Sequence, residues 1–318
     1  MTILVTGGAG FIGSNLVRRL LEAGEDTHVL DNLSSGRVKS LEPARKYKNF
    51  WFHNVDLLQA DPLALPKDCK TIYHLAANPE VRISATNPSV HFSQNVVATF
   101  NLLEAARRID AQTLVFASTS TVYGDAATVP TPENYSPLEP ISMYGASKLA
   151  CESLIVSYAH TYGMRAVIYR LANIIGEDST HGVIYDFVNK LLKDPTQLEV
   201  LGDGTQNKSY LHISDCIAAI LMGVSLSKER VGVFNVGSRD QIDVRKIATA
   251  VMTAMRLSNV KMNLTGGVDN GRGWKGDVKN MLLDVQKIES LGWSPKYDST
   301  EAVHLTAKRI VDGLVYTK

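Results

Sequence analysis

The chain has 318 residues, 45% of them hydrophobic and 20% charged, and its net charge is +1. This suits a large α/β unit with an added lobe and gives no electrostatic reason to expect nucleic acid or an acidic membrane as a partner. Cys69, Cys151 and Cys216 are scattered without CxxC spacing, which argues against a disulfide framework or a zinc site, predicts no metal, and points to a reducing cytoplasm.

The opening MTILVTGGAG enters folded structure at once, so no signal peptide is expected. No apolar run reaches the ~18–20 residues needed to span a bilayer. TILVTG (2–7) reads as a first strand. It runs into Gly8-Ala9-Gly10-Phe11-Ile12-Gly13, a GxGxxG loop, while Gly7, Gly10 and Gly13 also fit GxxGxxG. The helix that follows places Ile12, Leu16, Leu20 and Leu21 on one face and stops at Gly24, a good residue to end on. Strand, glycine loop and helix together form a pyrophosphate cradle, with the helix N-terminus facing the phosphates.

The second strand, THVLD (27–31), ends in Asp31, 18 residues after Gly13. A carboxylate there accepts both adenosine ribose hydroxyls and repels a 2′-phosphate, favouring NAD over NADP. FWFHNVD (50–56) is the third strand; Asp56 at its end reads either as an adenine contact or as a turn aspartate. TIYHLAA (71–77) follows, with His74 read as structural, and then a helix over NVVATFNLLEAARR. TLVFAST (113–119) leads into four hydroxyl residues, Ser118 to Thr121, and the helix beyond opens with Tyr144-Gly145-Ala146-Ser147-Lys148. Its i, i+4 spacing puts Tyr144 and Lys148 on one face. A phenol titrates near ~10, and an ammonium beside it is expected to lower that value. RAVIYRLAN (165–173) is another strand.

Beyond 173 the alternation loosens. A helix is expected over 183–193, turns at GEDSTHG and GDGTQNKS, a strand at VFNVG (233–237) returning to the main sheet, and helices over 243–256 and 300–314. His181 and His212 read as hydrogen-bonded loop residues. Alternating apolar strands and helices predict a Rossmann-type, doubly wound parallel sheet with a smaller interleaved C-terminal substrate lobe. The expected division is 1–172 with about 212–241 as the NAD-binding domain, and 173–211 with 242–318 as the second lobe.

TGGAGFIGS, LDNLSSGR, VDL, YHLAA, NVVATFNLLEAAR, FASTSTVYG, YGASK, RLANIIG, GDGTQ, LHISD and LGWSP span nearly the whole chain. Through them it resembles the extended short-chain dehydrogenases/reductases of the nucleotide-sugar epimerase/dehydratase group. The resemblance implies NAD as cofactor, held by Gly7, Gly10, Phe11, Ile12, Gly13, Asp31, Asn32, Ser35, Gly36, Asp56, Leu57, Leu75, Ala76, Ala77, Asn95 and Ser118 together with Tyr144 and Lys148. It implies Tyr144 as the base, Lys148 as its tuning partner and ribose contact, and Thr119 as the hydroxyl that holds the same sugar oxygen. For substrate it implies Ser84, Thr119, Asn173, the segment at Val183 and Ile184, Lys208, Tyr210 and either Arg272 or Lys275. Ser84 also reads as a plain loop serine, and Arg272 and Lys275 as a solvated basic loop. Met281 stands where relatives carry a bulky Tyr or a small Cys, and does not decide the sugar.

Relatives that eliminate water carry Asp-Glu directly after the catalytic Thr, and decarboxylating relatives carry Glu two residues after it. Ser120 and Thr121 stand there in this chain, and neither hydroxyl is a useful acid or base at neutral pH. The expectation is reversible oxidation without elimination: a C4 epimerisation of a UDP-hexose, glucose/galactose first. A UDP-N-acetylhexosamine epimerase and a small-alcohol dehydrogenase are the alternatives. A homodimer is expected across the helices near 90–108 and 146–162.

Overall fold

The structure, a computed structural model, describes residues 1–59 and 65–315. In chain order its elements are β1 (Thr2–Thr6), α1 (Phe11–Glu22), β2 (Asp26–Asp31), β3 (Phe50–Asn54), β4 (Thr71–His74), α2 (Pro88–His91), α3 (Ala98–Arg108), β5 (Thr113–Thr119), α4 (Met143–Tyr162) and β6 (Arg165–Leu171). There follow β7 (Asn173–Ile175), α5 (Val183–Lys193), β8 (Gln197–Val200), β9 (Asn207–Lys208), β10 (Tyr210–His212), α6 (Ile213–Leu226) and β11 (Val231–Val236). The chain closes with β12 (Ile242–Asp243), α7 (Val244–Ala254), β13 (Lys261–Leu264), β14 (Asn280–Met281), α8 (Gln286–Glu289) and α9 (Ser299–Val315).

Seven strands form one parallel sheet in the order β11-β6-β5-β4-β1-β2-β3. The order reverses between β1 and β4, the switch point at which open α/β sheets bind ligands. Period-2 alternation sends successive side chains to opposite faces. Leu4, Ile72, Leu114, Phe116 and Ile168 face one way and pack with Leu102 and Leu103 of α3 and Ile155 of α4. Tyr169 faces the other way, stacks on Phe234 and donates its hydroxyl to the Ile220 carbonyl of α6 at 2.7 Å. Cover on both faces explains why these strands are apolar at nearly every position. Burying each such Leu or Phe contributes roughly 1.5–3 kcal/mol.

Two local features differ from the sequence reading. The helix expected from Asn95 onward is preceded by α2 and by a π-helical turn over Phe92–Val97. The wider turn carries Asn95 inward, where its Oδ1 accepts the Asn78 N–H at 2.8 Å and its Nδ2 donates to Ser147 Oγ at 2.8 Å. The third strand ends at Asn54 rather than Asp56, because Asp56 Oδ1 accepts the Leu58 N–H at 2.9 Å and turns the chain.

The chain divides into unit 1 (Met1–Val122, Met143–Arg170, Ile220–Phe234) and unit 2 (Tyr123–Ser142, Leu171–Ala219, Asn235–Lys318). The sequence-based boundaries differ in three places, the first a two-residue shift that puts Leu171 and Ala172 in unit 2. Residues 123–142 belong to unit 2, since Asn235 gathers this segment: its Nδ2 donates to the Thr131 and Asp284 carbonyls and its Oδ1 accepts from the Tyr123 hydroxyl at 2.7 Å. The return to unit 1 covers 220–234 rather than about 212–241, with α6 split between the units. Unit 2 has its own core, in which Phe187 and Leu191 of α5, Ile247 and Val251 of α7 and Val303 of α9 meet β8 and β10. The LHISD and LGWSP motifs meet there: Asp215 accepts the Lys296 N–H at 2.9 Å, and the Trp293 indole donates to the Asp215 carbonyl at 3.0 Å. Among the described residues no helix is long and apolar enough to cross a membrane.

Candidate active site

The loop after β1 is shaped by its glycines. Gly7 has φ +70°, and a Cβ there would lie 2.6 Å from the Ala76 nitrogen; one on Gly13 would lie 2.1 Å from the Gly7 carbonyl oxygen. Only hydrogen fits at either place, so the loop closes tightly under the N-terminus of α1. Gly10 caps that helix without a side-chain hydrogen bond. The first-turn N–H groups of Phe11, Ile12 and Gly13 thus suit an anion's oxygens. Asp31, at the end of β2, accepts the Ala9 N–H at 2.9 Å and the Leu33 N–H at 2.8 Å. It holds the glycine loop in place, a role that the sequence did not reveal, and its carboxylate keeps lone pairs for further donors.

The other residues read as cofactor contacts lie in unit 1. Gly36 approaches Asp31 closely enough that a Cβ would lie 2.9 Å from its Oδ1. Asn32 and Ser35 are exposed, Leu57 is buried and Ala77 partly buried. Leu75 and Ala76 are pinned to β1 by N–H bonds to the Thr6 carbonyl and the Thr6 hydroxyl. His74 is buried between Thr6 Oγ1 at 2.7 Å and Thr99 Oγ1 at 2.9 Å, and burial lowers its pKa to about 3. It is a neutral structural residue.

Strand β5 and helix α4 bring the chemistry-bearing residues of unit 1 together. Thr119, the last residue of β5, is hydrogen-bonded to the Tyr144 phenol at the start of α4. Its Oγ1 accepts the Thr121 N–H at 3.2 Å and lies 3.1 Å from Thr121 Oγ1. Ser84 Oγ accepts the Tyr144 N–H at 3.2 Å and so anchors the entry of α4. Lys148, one turn further on, is 3% exposed, with Nζ 4.3 Å from the Phe116 ring centroid.

Here the electrostatics correct the sequence expectation. The Tyr144 phenol is raised to about 12 rather than lowered: burial dominates, and the Thr119 hydrogen bond offsets only part of it. Burial likewise lowers Lys148 to about 8, opposed by Cys151 and Glu152.

Ser118 donates its hydroxyl to Glu152. Glu152 is also gripped by Arg170 of β6, with Nη2–Oε2 at 2.8 Å and Nε 3.2 Å from each carboxylate oxygen. Sequence reasoning passed over Glu152 and Arg170. The available signal was an acid eight residues after Tyr144 on the buried side of a helix.

In unit 2, Asn173 donates its Nδ2 to the Ser209 carbonyl at 3.0 Å, and β7 pairs with β10. Tyr210 and Ile184 sit in the apolar core, so any ligand contact at Ile184 is made by its backbone. Val183 opens α5 after Gly182, which supplies no side-chain cap. Lys208 pairs with Asp277 at 2.6 Å, beside the Trp274 ring. Arg272 is paired with Asp125, a residue sequence reasoning missed, whereas Lys275 is exposed. Met281 is buried.

Residues 3–237 match the profile of the NAD dependent epimerase/dehydratase family. The chain belongs to that family. It is 34% identical over 317 residues to a putative UDP-glucose 4-epimerase of Methanocaldococcus jannaschii, covering 98% of each chain. A crystal structure of a UDP-galactose 4-epimerase superposes with a TM-score of 0.87 at 43% identity, over 99% of this chain and 100% of that one. The UDP-glucuronic acid 4-epimerase of Bacillus cereus, solved with UDP-glucuronic acid and NAD, superposes with a TM-score of 0.89 at 27% identity, over 99% and 100%. This protein is therefore an NAD-dependent enzyme of the nucleotide-sugar epimerase/dehydratase family. The glycine cradle, the uncapped start of α1 and the Asp31 carboxylate fit NAD.

Proposed function

We propose that the enzyme interconverts UDP-hexoses at C4, with UDP-glucose and UDP-galactose as the leading pair. The observation that carries this reading is the hydroxyl-only surrounding of Thr119. Thr121 Oγ1 stands 3.1 Å from Thr119 Oγ1, where an eliminating or decarboxylating relative needs a carboxylate. Bound NAD supplies the hydride acceptor and donor. Thr119 and Tyr144 hold the C4 oxygen between them, and Tyr144 removes its proton as the carbon is oxidised. Lys148 stabilises the phenolate and holds the nicotinamide ribose. After the 4-keto sugar has turned, Tyr144 returns the proton to the same oxygen.

The remaining site residues carry the same reading. The first-turn N–H groups of Val183 and Ile184 meet the base. Asn173, Lys208 and Arg272 hold the diphosphate, and Lys275 serves if Arg272 does not. A homodimer is part of it: Phe100 and Tyr162 are 45% and 50% exposed on the helices read as the interface. The test is incubation of purified enzyme with UDP-glucose in D₂O without added NAD. UDP-galactose with no carbon-bound deuterium is the expected product. Deuterium at C5, or an accumulating keto sugar, overturns the reading.

A further inference from the structure

Helix α4 buries two charged residues, Lys148 at 3% and Glu152 at 4% exposure. They continue the stripe that begins at Tyr144, since i, i+4 and i+8 lie along one side of a helix. A buried carboxylate is costly unless its lone pairs are filled. Those of Glu152 are filled from two neighbouring strands: Arg170 reaches in from β6 with three N–H contacts, and Ser118 donates from β5. Arg170 is itself 6% exposed and Ser118 3%. One side chain therefore ties the helix bearing Tyr144 and Lys148 to the strand bearing Thr119.

The attachment point matters. Ser118 is the residue before Thr119, so fixing its side chain on one face of β5 fixes the opposite projection of Thr119. Thr119 in turn is the hydrogen-bond partner of the Tyr144 phenol. A helix packed only by apolar contacts keeps some freedom to slide along the sheet, and sub-ångström placement is what proton transfer needs. If the pair served only stability, this would be a weak place for it, because well-packed apolar replacements of buried ion pairs are often neutral or stabilising.

We propose that Glu152, clamped by Arg170, is a positioning residue for the reacting groups: through Ser118 it sets the reach of Thr119 to the Tyr144 hydroxyl. The inference rests on the reading of Thr119, Tyr144 and Lys148 given above. The groups facing Tyr144 are Thr119 from β5, His91 from α2, whose ring centroid lies 5.7 Å away, and Cys151 from its own helix. Those facing Lys148 are Cys151 and Glu152 from α4, His74 from β4 and the Phe116 ring from β5. Replacing Ser118 changes the charge of none of them.

The experiment compares wild-type holoenzyme with Tyr144→Phe, Ser118→Ala, Glu152→Gln and the double variant Glu152→Gln/Arg170→Met, using UDP-glucose and UDP-galactose. Tyr144→Phe is the control on the underlying reading; if it retains the wild-type rate, that reading falls and takes the positioning role with it. With the control inactive, Ser118→Ala is expected to lose about tenfold in kcat, within the ~10²-fold that a 1 Å misplacement costs. Its KM stays near wild type, and its melting temperature falls by only the few degrees that one lost hydrogen bond to a buried carboxylate costs. Its kcat–pH profile keeps the break set by Lys148 and is lowered along the whole rising limb, because a loosened Thr119 no longer opposes the upward push of burial on Tyr144. The double variant removes both buried charges and recovers the stability lost in Glu152→Gln, yet its kcat stays low. Wild-type kcat and pH profile in Ser118→Ala, or in the double variant, overturn the proposal. If Glu152→Gln alone fails to fold, these two variants still decide.

Discussion

Arg272 and Asp125, 147 positions apart, meet as a fork: Nη2 lies 2.6 Å from Oδ2 and Nη1 3.1 Å from Oδ1. A carboxylate that occupies a guanidinium this way presents the same planar pair of acceptors as two phosphate oxygens. If Arg272 holds the diphosphate, Asp125 competes with it. Asp125→Asn is then expected to tighten UDP binding several-fold in calorimetric titration. Arg272→Ala weakens it roughly 10–100-fold, the scale of a lost charged hydrogen-bond pair at about 1.5–3 kcal/mol. Equal UDP affinity in both variants would give the diphosphate to Lys275 or Lys208.

Much of unit 1 was legible because its signals are local. The strand Thr113–Thr119 coincides with the apolar run TLVFAST, and α1 with the amphipathic segment that opens at Phe11. The glycine loop and Asp31 carried their spacing in the sequence. What escaped notice depends on partners far along the chain. Asp125 gains its meaning from Arg272 and Tyr123 from Asn235, while Glu152 looks like any polar helix residue until Arg170 is beside it. The upward push on Tyr144 was misjudged because spacing reveals a nearby lysine but not desolvation.

Tyr144→Phe is expected to lower kcat by roughly 10²–10⁴-fold, the usual worth of a positioned acid–base group, while NAD stays bound. The pH profile follows from the two pKa values. On the proposed mechanism the reaction needs phenolate at Tyr144, raised to about 12, and ammonium at Lys148, lowered to about 8. Below 8 the lysine is charged and the phenolate fraction grows tenfold per pH unit, so log kcat/KM rises with unit slope. Between 8 and 12 the gain in phenolate is cancelled by loss of ammonium, and the profile is flat. A profile falling from pH 6 to 8 would exclude Tyr144 as the base.

Asp31 supports the glycine loop through the Ala9 N–H, and we propose that the same carboxylate recognises the cofactor's ribose. Asp31→Ala should lose NAD affinity by at least about tenfold, since two backbone N–H groups and two ribose hydroxyls lose a charged acceptor. Asp31→Asn keeps an acceptor for only one of Ala9 and Leu33, but removes the repulsion of a 2′-phosphate, so the NADP-to-NAD affinity ratio rises. Fluorescence titration of both reduced cofactors checks each point. An unchanged ratio would place the discrimination outside β2.

His74 and acid stability are linked by sign. Its folded pKa of about 3 lies below the ordinary 6.5. Between these values the unfolded chain binds the extra proton, so stability falls as pH drops from 6.5 toward 3. His74→Gln should flatten that dependence in urea melts at pH 4–7. It should also cost about 1–3 kcal/mol at pH 7, where the neutral ring joins Thr6 to Thr99. An unaltered pH dependence would assign the acid sensitivity to other groups.

On the proposed reading, Lys148 opposes stability for the sake of the site. Its folded pKa of about 8 lies below the ordinary 10.5. At pH 7 it is charged in both states, and the folded chain bears the full cost of a buried ammonium. As pH rises from 8 to 10.5 the folded lysine is neutral while the unfolded one still holds its proton, so stability increases. At about 1.4 kcal/mol per unit, the penalty at pH 7 is roughly 3 kcal/mol. Lys148→Met fills the same space without charge and should raise the melting temperature by several degrees at pH 7, with little gain near pH 10, while epimerisation is lost. That opposition between stability and activity is expected of a group kept for function rather than packing. A Lys148→Met variant less stable than wild type at pH 7 would mean that the contact of Nζ with the Phe116 ring, 4.3 Å to its centroid, outweighs the cost of burial.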